Sequence, residues 1–174
     1  MINYYKWIFP KYVDKSVTNN DCFRINAANE QTKIKTVAKD DIISYVNNFL
    51  ESIDMVRIEE PKVDLDKNPI KRGSYTNIMK KNHLENKKDI VWIKFTKDKY
   101  IGVVASGTDI NFNMDNTSGK IIKALGKQWD ESFVLVFPLI NIPSYLNRHH
   151  IESGIGNFLI SQNVPILDYY SHNL

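Results

Sequence analysis

The chain of 174 residues has one cysteine, Cys22. A lone cysteine excludes an internal disulfide framework and fits a reducing compartment. No activating arrangement surrounds it that would make it a nucleophile. Long apolar runs are also missing: no window approaches the ~18 apolar residues of a membrane-spanning helix. The opening MINYYKWIFPKY lacks the pattern of a secretory signal, because Lys6 breaks its apolar run and Pro10 stops it. A cytoplasmic location is therefore expected, with no membrane partner. A large excess of either charge is missing too. A net charge of +3 permits nucleic-acid binding without arguing for it. Internal repeats and low-complexity tracts are absent.

What remains has the balance of a globular protein, with 43% apolar and 25% charged residues. The length suits a single domain with a proper core, spanning 1–174. The most informative stretch is its last third. SFVLVFPL and VPILDYY are short, rich in Val, Ile and Phe, and do not alternate. Both read as strands covered on two faces. HHIESGIGNFLISQ between them reads as a helix starting near Arg148. A strand, helix, strand unit predicts a right-handed crossover joining two parallel neighbours.

Upstream, Ile42, Val46, Phe49, Leu50 and Ile53 recur at helical spacing and predict a helix over 37–53. Thr36 is the expected cap, and Asp40 and Asp41 suit its positive end. Met55 to Ile58 reads as a short strand and residues 59–76 as a long loop. A short helix is expected over 77–85. DIVWIKF and KYIGVVAS are separated only by Thr96, Lys97 and Asp98, which predicts a β-hairpin. Another helix is expected over 118–128. The aromatics of residues 3–12 read as core packing or as a stacking surface for bases.

The predicted fold is thus a single α/β domain with a mixed sheet, an antiparallel hairpin and a C-terminal parallel βαβ unit. Helix, antiparallel strands, helix and parallel strand is also the layout that the restriction-endonuclease-like fold has, so the chain resembles it in element order. That family holds a divalent metal with acids on hairpin strands, and a lysine helps activate water. Asp89 stands where the first acid belongs. The second strand, Gly102 to Ser106, has neither the second acid nor the lysine, and Lys94 lies on the other strand. The resemblance therefore implies a relative without an intact catalytic motif. Glu59 and Glu60 are the acids available from elsewhere.

A second constellation lies on the last helix. His149, Glu152 and Gly156 share one flank beside the apolar stripe of Ile151, Ile155, Phe158 and Leu159. A partly exposed i,i+3 pair of His149 and Glu152, with a solvated Arg148, is the plainer reading. Gly154 and Gly156 argue for more: each costs about 0.8–1 kcal/mol against Ala in a helix, and such glycines accompany close approach of a backbone or ligand. The helix follows the carboxyl end of a strand, where open α/β sheets bind ligands. Its amides would favour an anion. The run Glu152-Ser153-Gly154, followed by Val164-Pro165-Ile166, resembles nucleoside deoxyribosyltransferases. The resemblance covers about fifteen residues and implies Glu152 as a nucleophile. The family's preceding Asp-x-Gly-Thr is replaced by Tyr145 to His150.

Asp109, Asn111 and Asn113 alternate in GTDINFNMDN and would share a face if extended. Their spacing resembles a calcium loop without its central glycine and terminal glutamate. Polar turn, metal contact and substrate contact are the readings. His149, His150 and His172 do not have zinc-site spacing, and Asp168 reads as a strand-end carboxylate. Between Lys71 and Lys99 there are nine basic residues, including Lys80, Lys81, Lys87 and Lys88, against Glu85, Asp89 and Asp98. That surplus would track phosphates or form a solvated face.

Three functions follow as expectations. The first is a nucleic-acid-associated protein of bacterial or phage origin, nuclease-like without intact catalysis. The second is an enzyme acting on a nucleoside or nucleotide, with Glu152 as nucleophile or base and Asp109, Asn111 and Arg148 on the substrate. The third is a protein-binding inhibitor or accessory factor without an active site.

Overall fold

The computed structural model describes residues 35–65, 80–84, 89–108 and 129–166. Helix α1 is Lys39–Ser52 and helix α2 is Arg148–Ser161. Four strands, β1 Lys62–Asp64, β2 Ile90–Phe95, β3 Ile101–Gly107 and β4 Phe133–Pro138, form one sheet. Its order is β1-β4-β2-β3, and every pairing is antiparallel.

The hairpin of β2 and β3 forms as expected, closed by the Thr96 amide donating to the Tyr100 carbonyl at 2.9 Å. Lys99, at φ 70°, supplies the left-handed turn residue. The register shifts between Lys94 and Phe95, whose partners are Val103 and Ile101, so Gly102 is the extra residue of a bulge. This shift puts Ile101 and Val104 on one face. Ser106 follows on that face two residues later.

The crossover differs from expectation. The two flanks of β4 are taken by β1 and β2, so the segment after α2 is not beside β4. It reaches the sheet through one isolated parallel bridge, Ile101 to Ile166, across β3. Continuous apolarity in β4 reports two covered faces, and that burial is present: Val134 through Phe137 are all buried. Strand direction is not encoded in that pattern, and among the described residues the segment after α2 is not a parallel neighbour of β4; residues 167–170 of the expected strand lie outside them.

One face of the sheet carries Val91, Ile93, Phe95, Val104, Leu135 and Phe137. It packs against Ile42, Val46, Phe49 and Leu50 of α1 and Ile151, Ile155, Phe158 and Leu159 of α2. The other face gathers Val63, Leu65, Ile90, Trp92, Val103, Val134 and Val136. The stripe expected on α1 is buried throughout, and Asp40 and Asp41 lie in its first turn. Thr36 does not cap it. The cap is Ala38, with no side-chain hydrogen bond.

Met55 to Ile58 forms no strand. Asn47 replaces one: its amide donates to the Ile58 carbonyl at 3.0 Å and accepts from the Ile58 N–H at 2.9 Å. Within the expected loop 59–76, residues 62–64 are the edge strand β1. The aromatics of 3–12, Cys22, residues 66–79, the helix expected over 118–128, Asp168 and His172 lie outside the described residues. No helix of the described residues is long and apolar enough to cross a membrane.

Candidate functional site

Helix α2 starts where the sequence predicts, because Asn147 caps it. The Asn147 side chain accepts from the backbone N–H of His149 at 3.0 Å and of His150 at 3.1 Å. The Asn147 N–H in turn donates to the His150 Nδ1 at 3.2 Å, completing a capping box. Two of the amides expected to attract an anion are therefore already engaged. At the other end, the Asn163 N–H reaches the Ile160 carbonyl and the Val164 N–H the Leu159 carbonyl. Asn163, at φ 59°, supplies the left-handed residue of this Schellman closure, which turns the chain back toward β3.

The cap also fixes where the next three side chains go. Arg148, the first helical residue, donates from Nη1 to the Asp89 carboxylate at 3.0 Å. Asp89 immediately precedes β2, and its carbonyl accepts from Leu139 N–H at 2.8 Å, pinning it to the end of β4. The pair thus ties the sheet's edge to the start of α2. An open cleft of about 420 Å³ lies here. Asp89, Ser144, Asn147, Arg148 and His149 line its polar side, and Ile142, Pro143 and Leu146 its apolar side.

Glu152 is one helical turn further on and is only 4% exposed. A buried carboxylate requires donors. Ser106 supplies one, its hydroxyl donating to Glu152 Oε2 at 2.5 Å. His149 Nδ1 is 3.4 Å from the same hydroxyl oxygen and 3.9 Å from Oε2. His149 is itself half-exposed, so the cluster runs from the cleft's rim inward to a buried acid. Burial, the Arg148 guanidinium and His150 lower the His149 pKa from its ordinary 6.5, with Asp89 acting the other way. The ring is neutral at pH 7.

The sequence-derived candidates divide clearly. Asp89, Arg148 and His149 meet in the cleft, and Glu152 stands behind them rather than on its wall. The plainer expectation for this flank holds in one part and is corrected in the other: His149 and Glu152 do lie together as a partly exposed i,i+3 pair, but Arg148 is paired with Asp89 rather than solvated. Lys80 and Lys81 are exposed on a helical turn. Asp109, Asn111, Asn113, Lys87 and Lys88 lie outside the described residues. Glu59 and Glu60 are exposed, and Glu59 pairs with Arg57 at 3.0 Å. Among the described residues no group of three His, Cys, Asp or Glu could hold a metal ion.

Ser106, Ser144 and Asn147 are polar residues of the site that sequence reasoning missed. Asn147 carries a readable signal, a capping residue immediately before Arg148 and the helix. Ser106 carries a weaker one, the polar end of an otherwise apolar strand. No protein-family model, curated protein or solved structure matches this chain.

Proposed function

We propose that the cleft at the start of α2 is a small-molecule site, and that the protein is an enzyme moving a proton on a nucleoside or nucleotide. His149 is the group that meets the substrate. Glu152 and Ser106 position it. The observation that carries this reading is a buried carboxylate joined through a serine hydroxyl to a histidine on the rim of a cleft.

The chemistry follows from counting protons. Ser106 has one hydroxyl proton, and it goes to Glu152. His149 Nδ1 then faces two oxygen acceptors, Ser106 Oγ and Glu152 Oε2. The neutral ring is best satisfied with its proton on Nδ1, which makes Nε2 the basic nitrogen. A carboxylate behind a histidine stabilises the imidazolium formed when Nε2 takes a proton. The 3.4 Å contact is long, as such contacts are before a substrate closes the site. This order differs from a serine hydrolase triad, where histidine lies between serine and acid. Ser106 is therefore a positioning residue and not the nucleophile. The role implied for Glu152 by the deoxyribosyltransferase resemblance becomes that of a supporting acid.

The cleft's volume lies in the range of small-molecule sites. Ile142, Pro143 and Leu146 offer an apolar wall for a flat ring, and Asp89 beside Arg148 offers an acceptor and a donor to a base edge. Turnover of a nucleoside and nucleotide panel tests the reading. His149→Ala is expected to lower kcat about 100- to 10,000-fold, and Glu152→Gln to lower kcat with little change in KM. Failure of every panel member to bind in a His149-dependent way would end it.

Nucleic-acid association is the second proposal. Its support is the basic stretch 71–99, of which Lys80 and Lys81 are exposed. Binding should weaken steeply with salt and on neutralising Lys80, Lys81, Lys87 and Lys88. Indifference to both would remove it.

A further inference from the structure

We propose that Arg148 recognises an oxyanion, a phosphate or carboxylate group of the ligand, along the Nε–Nη2 edge of its guanidinium while Asp89 holds Nη1. The proposal deepens the small-molecule reading of the same cleft and rests on it. It does not rely on the helix terminus, since Asn147 already occupies the amides of His149 and His150.

The guanidinium has five N–H donors in a planar fork and no acceptor. Asp89 engages Nη1 alone, at 3.0 Å. Arg148 Nε is buried and has no hydrogen-bond partner among the described residues. No further hydrogen bond of this guanidinium is formed there. Leaving a buried N–H unmade is costly, and such a group calls for an explanation. The Nε–Nη2 edge is the side-on fork that matches two oxygens of a carboxylate or phosphate. It belongs to a residue that lines the cleft and keeps 34% of its side chain exposed. Arg148 thus lines the cleft with one edge committed to the fold and a second edge whose hydrogen-bonding capacity is unspent.

Asp89 has two effects in this arrangement. It orients the fork, because a single bond at Nη1 leaves the opposite edge presented. It also competes electrostatically, because its carboxylate is the charge an incoming anion must approach. The pair therefore makes predictions of opposite sign for its two members. Arg148→Lys keeps the charge but loses the fork. Asp89→Asn keeps an oxygen acceptor for Nη1 but removes the competing charge.

The experiment titrates the full-length protein and both variants with inorganic phosphate, with acetate, and with uridine against uridine 5′-monophosphate. Calorimetry gives the affinity, and the Arg148 Nε–H resonance reports the edge directly. In the parent protein, phosphate or acetate is expected to shift that resonance, and the preferred anion identifies the ligand group. The monophosphate is expected to bind more tightly than uridine if the group is a phosphate, and no differently if it is a carboxylate. Arg148→Lys is expected to weaken the preferred anion about tenfold or more. Asp89→Asn is expected to tighten it about fivefold. Equal anion binding by Arg148→Lys and the parent would overturn the fork, and weaker binding by Asp89→Asn would overturn the competition. Because the second variant gains affinity, loss of folding cannot imitate the expected pattern. If neither anion binds while uridine binds through His149, the inference falls and the small-molecule reading stands. If nothing binds, both fall.

Discussion

The Ser106 hydroxyl donates to the Glu152 carboxylate at 2.5 Å, joining two residues 46 apart in sequence. One stands near the end of β3 and the other in the second turn of α2. The bulge at Gly102 makes this meeting possible, since it sets which face of β3 Ser106 occupies. The contact therefore links strand register to the state of a buried acid. Ser106→Ala strips a donor from a carboxylate that is 4% exposed. We expect a loss of about 1–3 kcal/mol in urea unfolding, together with a fall in kcat on any substrate that depends on His149. Full stability in Ser106→Ala would mean that other donors already satisfy Glu152.

His149 is expected to titrate below 6.5, with burial as the first cause and Arg148 as the second. The folded state then holds fewer protons on this ring than the unfolded chain as pH drops past 6.5. Its contribution to stability is complete above that value and declines as pH falls through the native pKa. Asp89→Asn removes an influence that raises it, so the midpoint should move lower still. Following the ring's Cε1 proton by NMR in both proteins checks the sign. An upward move in the variant would show that Asp89 is not felt at the ring.

The sequence made α1 legible by its clear stripe, α2 by Ile151, Ile155, Phe158 and Leu159 at helical spacing even though 151–159 are buried all round, and the hairpin because only a tight turn separates its strands. Val134 through Phe137 were recognisable as a doubly covered strand, yet their partner was not. Side-chain pattern carries burial, whereas neighbour and direction depend on contacts made far along the chain. Residues 62–64 were hidden for the opposite reason: β1 is an edge strand between charged neighbours, with only Val63 buried. Of the four site residues that sequence reasoning nominated on α2 or beside β2, three converge in the cleft, Asp89, Arg148 and His149. Glu152 lies one layer deeper, where it meets Ser106. A bulge at Gly102 decides that, and a single glycine in an apolar strand announces a bulge only weakly.

Asn47 offers a test of the other end of the core. It is 1% exposed on α1, and its amide makes both a donated and an accepted bond with Ile58. The pair satisfies the backbone of a segment that joins no strand. Asn47→Asp keeps the size and the acceptor but loses the donor and buries a charge. Asn47→Leu loses both bonds. Each is expected to destabilise by about 2–4 kcal/mol, read by chemical unfolding, with Asp recovering part of its loss at low pH, where the carboxyl is protonated. Equal stability of both variants at every pH would remove the role given to the amide.

Lys94 gives the last prediction. It lies on the face of β2 that carries Ile90 and Trp92 and is 2% exposed. Its ammonium donates to the carbonyls of Asp130 and, at 3.2 Å, Phe133, clasping the approach to β4 onto the hairpin. Lys99 holds the Asp130 carboxylate from the surface side. Burial lowers the Lys94 pKa from 10.5 to about 8, against the attraction of Asp130 and Glu131. At pH 7 both folded and unfolded chains carry the charge, and the desolvation cost is present in full. Above about 8 the folded protein releases this proton while the unfolded chain keeps it until 10.5. Stability from this group therefore rises across that window, by roughly 3 kcal/mol at most from the size of the shift. Lys94→Met removes the titration and also the two donated bonds. Urea unfolding from pH 7 to 10.5 should show the parent gaining on the variant as pH rises, because a neutral amine still donates to the Asp130 and Phe133 carbonyls. Parallel stability curves would show that the Lys94 ammonium meets water in the folded state, and the clasp would then be no more than a surface contact.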